Sequence, residues 1–239
     1  MKISVCIPMY NEGKIIENTA RALDEYMRKE FPGGDYEIIF SDDGSRDGSR
    51  KIVESLGLPG VRVIGEEQNH GKGYAVRRAF LEAKGDVIMF TDADLAYGAE
   101  IVGKVYGEMS ARQDADVLIG SRNLTRDGYE GYTFIRKIAS KMYIKVLCFT
   151  GGFKLSDSQC GCKAFRYDAV QKIFPRCEVD GFAFDFEAIL WATKLGMNVI
   201  EMPVKLINHG DTKVKIVRDT FRMLKDLKKM KKRISHADI

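Results

Sequence analysis

The sequence predicts an α/β protein with a mostly parallel central sheet and flanking helices. Short apolar runs alternate with longer amphipathic segments from Met1 to about Arg122, which indicates strands joined by helical crossovers. Polar or acidic residues directly follow three of the apolar runs. Because a parallel sheet binds its ligand beyond the carboxyl ends of its strands, we expect these residues to converge on a ligand site at one edge.

Each element follows from a local pattern. Apolar runs bounded by turn residues predict strands at Ile3–Ile7, Tyr36–Ser41, Val61–Gly65, Asp86–Thr91, Val117–Gly120 and Asn198–Met202. Apolar residues at helical spacing predict helices at Glu12–Arg28, Asp47–Ser55, Gly71–Ala83, Ala99–Ala111, Tyr132–Phe149 and Phe182–Leu195. A loop is expected from Gly151 to Gly161, and helical spacing returns between Val217 and Met230.

The 239 residues suit a single domain with a sizeable core, but their charge is unevenly distributed. The segment from Lys213 to Arg233 carries a net charge of +8, whereas the whole chain carries +4. This concentration predicts an anionic surface as the partner of that segment alone. The segment either packs on the core by one apolar stripe or lies on membrane headgroups as an amphipathic helix. Nucleic acid is not expected, because the sequence has no recognisable recognition module.

The five cysteines lack the spacing of a disulfide framework, and Cys6 lies inside a predicted buried strand. We therefore expect reduced thiols in a cytosolic protein. The segment from Met1 to Pro8 runs directly into the first strand, so no signal peptide is expected there. No apolar stretch approaches the ~20 residues that a bilayer-spanning helix needs, so the sequence predicts no membrane crossing.

The most informative motif is Thr91-Asp92-Ala93-Asp94, which ends the apolar run Val87–Phe90. Side chains alternate along a strand, so Asp92 and Asp94 are expected to point in the same direction. Two neighbouring carboxylates repel each other unless a cation lies between them, and their hard oxygens suit Mg²⁺ or Mn²⁺ with a diphosphate. Asp92 and Asp94 are therefore the predicted metal ligands.

Two further polar segments are candidates for ligand contact. In Ser41–Ser49 an N-capped turn explains part of the pattern, but the adjacent Asp42 and Asp43 can also hydrogen-bond a base or ribose. The Gly-rich segment Asn69–Ala75 begins a helix and can place its amides and Lys72 near a phosphate. Neither a Walker sequence nor a G-x-G-x-x-G after the first strand is present, which argues against a dinucleotide-binding dehydrogenase.

Five motifs follow one another along the chain, namely Pro8-x-Tyr10-Asn11-Glu12, Asp42-Asp43-Gly44-Ser45-x-Asp47-Gly48, Gly71-Lys72-Gly73-x-Ala75, Asp92-Ala93-Asp94 and Gly120-Ser121-Arg122. Their order and spacing resemble those of family-2 inverting glycosyltransferases with a GT-A fold. The resemblance narrows to the polyprenyl-phosphate branch, the dolichyl-phosphate mannose and glucose synthases, on Arg122, Arg136 with Ser140, Asp157–Lys163 and His209–Lys213.

The resemblance covers roughly Lys2 to Lys215. It implies one GT-A domain at 1–215, with a Rossmann-like nucleotide-binding half and an acceptor half. The remaining residues, 216–239, are then expected to form a basic amphipathic helix at a membrane surface.

The resemblance also implies a role for each motif. Donor binding is assigned to Pro8, Tyr10, Glu12, Asp42, Asp43, Lys72 and Asp92. The metal and the diphosphate are assigned to Asp92 and Asp94. Binding of the acceptor phosphate is assigned to Arg122, Arg136, Ser140 and Lys213. The predicted catalytic residues are then Asp94, Arg122 and Arg136.

Two details bear on the metal and the donor. Mannose synthases of this branch often carry Gln two residues after the second Asp, where this chain has Ala96, so a water is expected to complete the coordination. The segments Ser158–Gly161 and Phe184-Asp185-x-Glu187 are closer to the glucose synthases. The resemblance therefore favours UDP-glucose over GDP-mannose.

The chemistry of the acceptor decides whether a general base is needed. A phosphate monoester has a second pKa near ~6, so at neutral pH it is already a nucleophile that needs only positioning and charge screening. A sugar hydroxyl would need a base, for which Asp157 or Asp185 is the candidate and His209 a weaker one. Asp185 is explained equally well as a solvated or salt-bridged helix position.

These observations lead to one hypothesis and two alternatives. The hypothesis is a metal-dependent inverting enzyme, peripheral on the cytoplasmic inner face of a membrane, that transfers a hexose from a nucleotide diphosphate to polyprenyl phosphate. The alternatives are transfer to a glycan hydroxyl and a non-catalytic protein that binds sugar nucleotides at a membrane. The expected partners are the nucleotide sugar, the lipid phosphate and an anionic membrane surface, with a membrane protein as a further candidate.

Overall fold

The computed structural model describes residues 1–125, 128, 142, 144–146, 148–149, 151–152, 154–207 and 227–238. These residues include a seven-stranded sheet. Its strands are β1 (Ile3–Met9), β2 (Tyr36–Asp43), β3 (Val61–Glu66), β4 (Val87–Thr91), β5 (Val117–Ser121), β6 (Cys162–Arg166) and β7 (Val199–Pro203). Across the sheet their order is β3-β2-β1-β4-β6-β5-β7.

Every strand except β6 runs in the same direction, which confirms the predicted mostly parallel sheet. Strand β6 pairs antiparallel with β4 on one side and with β5 on the other. It therefore joins two parallel groups, one formed by β1 to β4 and the other by β5 and β7.

Helices cover both faces of this sheet. They are α1 (Ile16–Glu30), α2 (Ser49–Ser55), α3 (Lys72–Glu82), α4 (Ile101–Ala111), α5 (Tyr167–Ile173) and α6 (Phe184–Lys194). Helices α1, α2 and α4 share one hydrophobic core, whereas α3, α5 and α6 share another. Neighbouring residues of β1, such as Val5 and Cys6, alternate between the two cores, as the pleat of a strand requires.

Helix α1 begins later than predicted, at Ile16 instead of Glu12. The chain first makes a turn, in which Asn11 adopts a positive φ of 53° and the carbonyl of Glu12 accepts hydrogen bonds from the amides of Ile15 and Ile16. Periodicity alone could not separate this turn from the helix, because the turn residues continue the polar side of the pattern.

The sequence analysis missed β6 and α5. Strand β6 is short and fully inside the sheet, but Lys163 interrupts its apolar run, so it does not show the continuous hydrophobicity of a buried strand. It is also antiparallel, and the strand–helix alternation that predicted the other strands carries no information about it.

The end of the chain packs on the second core. Residues 227–236 are helical, and Leu227, Met230 and Ile234 are buried there. The ammonium of Lys194 donates to carbonyl oxygens at the end of this helix, and Arg233 pairs with carboxylates of the domain. This part of the basic segment therefore packs on the core, while 208–226 lie outside the described residues. The predicted division at 216 and the membrane role of 216–239 stay predictions.

Only part of the predicted helix Tyr132–Phe149 belongs to the described residues. Positions 142, 144–146 and 148–149 are helical, as predicted. In the part of the chain that the structure describes, no helix combines the length and the apolar character needed to cross a bilayer.

Candidate active site

Three neighbouring parallel strands, β2, β1 and β4, end at the same edge of the sheet. Met9 at the end of β1 pairs in register with Asp42 near the end of β2, and Asp92 directly follows β4. The polar residues after these strands therefore converge, as the sequence predicted.

The loop after β1 is tied to the loop after β2. The amides of Asn11, Glu12 and Gly13 donate to side-chain oxygens of Ser45, Ser49 and Asp47 at 2.8–2.9 Å. The side chain of Tyr10 remains 41% exposed beside these contacts. An exposed aromatic ring beside these hydrogen-bonded loops is suited to stacking on a base, and the donor role of Tyr10 stays a prediction.

The two acids that end β2, Asp42 and Asp43, have different surroundings. The Asp43 carboxylate accepts hydrogen bonds from the amides of His70 and Gly71, at 2.9 and 2.7 Å, and from the Asn69 side chain at 2.7 Å. Burial raises the pKa of Asp43 above its ordinary value although these amides oppose the shift. Asp42 accepts a longer bond from the amide of Ser45. Asp43 thus shapes the turn into α3, and nucleotide binding by either acid stays a prediction.

The glycines that begin α3 allow a close approach of the backbone. A Cβ at Gly71 or Gly73 would overlap carbonyl oxygens of Asp180 and Val179. The amides of Gly73 and Tyr74 donate to the carbonyl of Asp180 at 2.7 and 3.2 Å. These amides were predicted to face a phosphate, but this carbonyl engages them, so the prediction is wrong for these two amides. In this segment the Lys72 side chain therefore remains the candidate for contact with a phosphate.

The D-x-D residues lie in a turn, because β4 ends at Thr91. The amide of Leu95 donates to the carbonyl of Asp92 at 3.0 Å, and the amide of Ala96 donates to the carboxylate of Asp94 at 3.0 Å. Strand alternation is therefore the wrong reason for the closeness of the two carboxylates. Burial and then the charge of Asp92 raise the pKa of Asp94 above its ordinary value, as expected for two acids in one turn.

A lysine lies on this acidic pair. The ammonium of Lys72 is 2.5 Å from Oδ1 of Asp92, with the two side chains 24% and 34% exposed. Burial lowers the pKa of Lys72, but the charges of Asp92 and Asp185 outweigh that effect and raise it above its ordinary value. The ammonium is also 5.6 Å from the centre of the Phe90 ring.

A second lysine–aspartate pair lies on the same ring. Lys163 of β6 is 2.9 Å from Oδ1 of Asp185, donates to the carbonyl of Cys160 at 2.7 Å, and is 5.6 Å from the centre of the Phe90 ring. Burial raises the pKa of Asp185, which the charges of Lys163 and Lys72 partly oppose. Asp185 is therefore a buried, salt-bridged helix position and not a solvated one, and its role as a base stays a prediction. The sequence analysis assigned no role to Lys163, although a single lysine in an apolar run was a usable signal.

Arg122 directly follows β5, where Asp157 holds it. Its Nε and terminal nitrogen donate to the two oxygens of Asp157 at 2.7 and 3.0 Å. Asp157 is fully buried, and the adjacent amides of Ser156 and Asp157 donate to the carboxylate of Glu201. Burial lowers the pKa of Arg122, but its pairing with Asp157 outweighs this and raises it. Asp157 thus acts as the counter-ion of Arg122, which leaves Asp185 as the better placed candidate base.

The segment that carries Asp157 continues to Gly161, which lies against the D-x-D turn. A Cβ at Gly161 would overlap the carboxylate of Asp92. One short loop therefore contacts both the Arg122 pair and the acidic pair of the donor side. Four predicted site residues lie outside the described residues, and their roles stay predictions: Arg136, Ser140, His209 and Lys213.

The mostly parallel sheet, with an acidic turn and a lysine at the carboxyl ends of its strands, defines an α/β protein of the class that binds ligands at this edge. Residues 4–174 match the family model described as Glycosyl transferase family 2. The chain belongs to this family and is a glycosyltransferase, which confirms the resemblance found in the motifs.

Two curated relatives and one solved structure illustrate the similarity. A dolichyl-phosphate β-glucosyltransferase of Dictyostelium discoideum is 30% identical over 240 residues, covering 94% of this chain and 72% of the relative. The enzyme of that name from Saccharomyces cerevisiae is 31% identical over 244 residues, with the same shares covered. A glucosyl-3-phosphoglycerate synthase from Mycobacterium tuberculosis, solved with Mn²⁺, UDP and phosphoglyceric acid, gives a TM-score of 0.71 at 18% identity. That alignment covers 100% of this chain and 80% of the other, and it confirms the predicted GT-A fold.

Proposed function

We propose that this enzyme transfers glucose from UDP-glucose to a polyprenyl phosphate of the dolichyl type, with a divalent metal ion at Asp92 and Asp94. The observation that carries the proposal is the pair of carboxylates in the turn after β4, with Lys72 beside them, at the ligand edge of the sheet. The names of the two curated relatives support the choice of glucose and of the lipid phosphate.

The residues present fit a metal ion. Carboxylate oxygens are the hard donors that Mg²⁺ and Mn²⁺ prefer, and the ammonium of Lys72 on Asp92 shows that this position accepts a positive charge. Among the described residues there is no group of three or more His, Cys, Asp or Glu side chains that could hold a metal ion. Asp92 and Asp94 would therefore share the metal with oxygens of the diphosphate and water. The bound metal supplies charge neutralisation for the leaving diphosphate.

The protein's own cations divide the remaining work. Lys72 lies beside the acidic pair and can screen the negative charge that develops on the leaving diphosphate. Arg122, held by Asp157 at the carboxyl end of β5, supplies its guanidinium for the acceptor phosphate. Arg136, Ser140 and Lys213 complete this acceptor site in the proposal.

A second candidate reaction is transfer to a hydroxyl acceptor. The observation that favours it is Asp185, whose buried carboxyl has a raised pKa and lies near Lys72 and Asp92. A raised pKa suits a general base that acts near neutral pH. The phosphate acceptor needs no such base, so the identity of the product separates the two reactions.

Membrane contact is part of the proposal, because a polyprenyl acceptor is embedded in a bilayer. Met142, Val146 and Phe149 are 64%, 47% and 88% exposed and are spaced by four and three residues within helical sequence. Such an apolar stripe is suited to the surface of a membrane, and the basic segment from Lys213 adds attraction to anionic lipids. We infer an enzyme that is peripheral on the cytoplasmic face.

The membrane contact can be tested by flotation with vesicles of neutral and anionic lipids. Phe149→Ser should reduce the bound fraction severalfold. Leu81→Ser is the matched control, since Leu81 is an exposed apolar residue of α3, away from the stripe. Equal binding of the two variants would contradict the assigned contact.

The reaction itself is tested by offering labelled UDP-glucose and GDP-mannose separately, with Mn²⁺ or Mg²⁺ and a polyprenyl phosphate in detergent. A glucolipid from UDP-glucose, lost in Asp94→Asn, is the expected result. Mannolipid from GDP-mannose would correct the donor. Hydrolysis of the donor without a lipid product would favour a hydroxyl acceptor. No turnover with either donor would overturn the proposal.

A further inference from the structure

The contact between Lys72 and Asp92 has a consequence for how the site takes up a metal ion. The ammonium lies 2.5 Å from Oδ1 of Asp92, which is one of the two carboxylates assigned to the metal. A divalent cation and an ammonium cannot both occupy that oxygen, because like charges at such a distance repel strongly. A cation that binds Oδ1 must therefore displace the lysine, and one on the adjacent Oδ2 would still repel it.

The surroundings of Lys72 allow this displacement. Its backbone is held where α3 begins, since the flanking Gly71 and Gly73 pack against the carbonyls of Asp180 and Val179. Its side chain is long and partly exposed, and the charge of Asp185 also acts on it. A released ammonium would therefore stay within the site, beside the Phe90 ring.

The charges of the site and the partners of Lys72 indicate when the displacement is favourable. Lys72 and Lys163 face the carboxylates of Asp92, Asp94 and Asp185, and the charge of Glu12 also acts on Asp94, so these six groups sum to −2. A divalent cation alone would cancel this charge but would leave Lys72 without its nearest partner. A diphosphate that arrives with the cation offers oxygens to both the metal and the ammonium.

We propose that Lys72 is the resident counter-ion of Asp92 and exchanges with the divalent cation, so that the cation binds together with the donor's diphosphate and not before it. This inference rests on the metal site of the proposed function and adds to it an order of binding. Lys72 then has two partners in turn, the carboxylate of Asp92 and the diphosphate. By reciprocity, the metal raises the affinity for the nucleotide by the same factor as the nucleotide raises the affinity for the metal.

The experiment measures binding of Mn²⁺ by the electron paramagnetic resonance signal of the free ion, with and without UDP. The wild-type enzyme should bind Mn²⁺ at least ~10-fold more tightly when UDP is present, a factor typical of coupled sites. Lys72→Met should bind Mn²⁺ without UDP at least ~10-fold more tightly than the wild type, because its Asp92 is already available. The effect of UDP on Mn²⁺ affinity should shrink in this variant.

Two further variants make the result decisive. Lys51→Met, at an exposed position of α2, is the matched control and should behave as the wild type. Lys72→Gln keeps a polar side chain without the charge and replaces Lys72→Met if that variant does not fold, as judged by circular dichroism.

Unchanged or weaker Mn²⁺ binding by the charge-free variants without UDP would overturn the exchange. Wild-type enzyme that binds Mn²⁺ equally well with and without UDP would overturn the binding order. Failure of the wild type to bind Mn²⁺ even with UDP would instead remove the metal site, and with it the proposed function.

Discussion

Two lysine–aspartate pairs lie on the ring of Phe90, and they differ in their access to solvent. Lys72–Asp92 and Lys163–Asp185 both place an ammonium 5.6 Å from the centre of the ring. The side chains of Lys72 and Asp92 are 24% and 34% exposed, whereas those of Lys163 and Asp185 are 1% and 9% exposed. We call them the open pair and the closed pair.

The difference shows that the surroundings of a pair, and not its chemistry, decide what it can do. The open pair can exchange its partners for a metal ion and a diphosphate, because water reaches both groups and lowers the cost of separating them. The closed pair cannot, since separation would leave a buried charge without a partner. It instead holds Asp185 in place beside the open pair.

The largest expected effect comes from breaking the closed pair. Lys163→Met leaves the buried Asp185 without its nearest cation and should lower the free energy of unfolding by ~3–5 kcal/mol, as measured by urea denaturation. The double variant Lys163→Met with Asp185→Leu removes both charges and should recover most of that loss. If Lys163→Met were as stable as the wild type, the closed pair would not behave as a buried ion pair.

The next largest effect is the loss of catalysis when the acid next to the open pair is changed. Asp94→Asn should reduce glucosyl transfer by at least ~10²-fold, because the charge that stabilises the leaving diphosphate is lost with the metal ligand. Initial rates at saturating Mn²⁺ check this. Asp35→Asn is the matched control and should keep full activity, because Asp35 is exposed and lies at the opposite edge of the sheet, where β2 begins. Full activity of Asp94→Asn would remove the residue from the metal site.

Breaking the open pair should cost little stability. Lys72→Met should change the free energy of unfolding by ~1 kcal/mol or less, since both partners are partly exposed and can be rehydrated. The same urea titration as for Lys163→Met makes the comparison direct. A loss as large as that of the closed pair would mean that the two pairs are equivalent after all.

The smallest effect concerns pH. Burial and the charge of Asp92 raise the pKa of Asp94 above its ordinary value of 3.8, so the folded protein holds this proton more tightly than the unfolded chain does. The free energy of unfolding therefore falls as pH rises from about 4 through the raised pKa. Asp94→Asn lacks this group and should show a shallower fall when both proteins are unfolded with urea in chelator. Equal slopes would contradict the raised pKa.

Local patterns in the sequence determined the first part of the fold. From β1 to β5, apolar strands and amphipathic helices alternate within short stretches, so each element could be recognised from its own residues. The acidic segments at the carboxyl ends of β2 and β4 could be placed at one edge, because parallel strands end together. The motifs that resemble the family lie in these same loops, which is why the enzyme class could also be predicted.

The tertiary structure alone decided the second part of the site. Strand β6 pairs across the sheet with β4, more than seventy residues earlier, and a pairing of that kind leaves no local period in the sequence. This pairing brings Lys163 to the Phe90 ring, and the packing of α6 in the same core brings Asp185 to Lys163. The amides at the start of α3 likewise find their partner, the carbonyl of Asp180, about a hundred residues away. The sequence by itself determined which charges the site contains, whereas long-range packing determined which of them are buried and which can exchange, because solvent access is a property of the assembled fold.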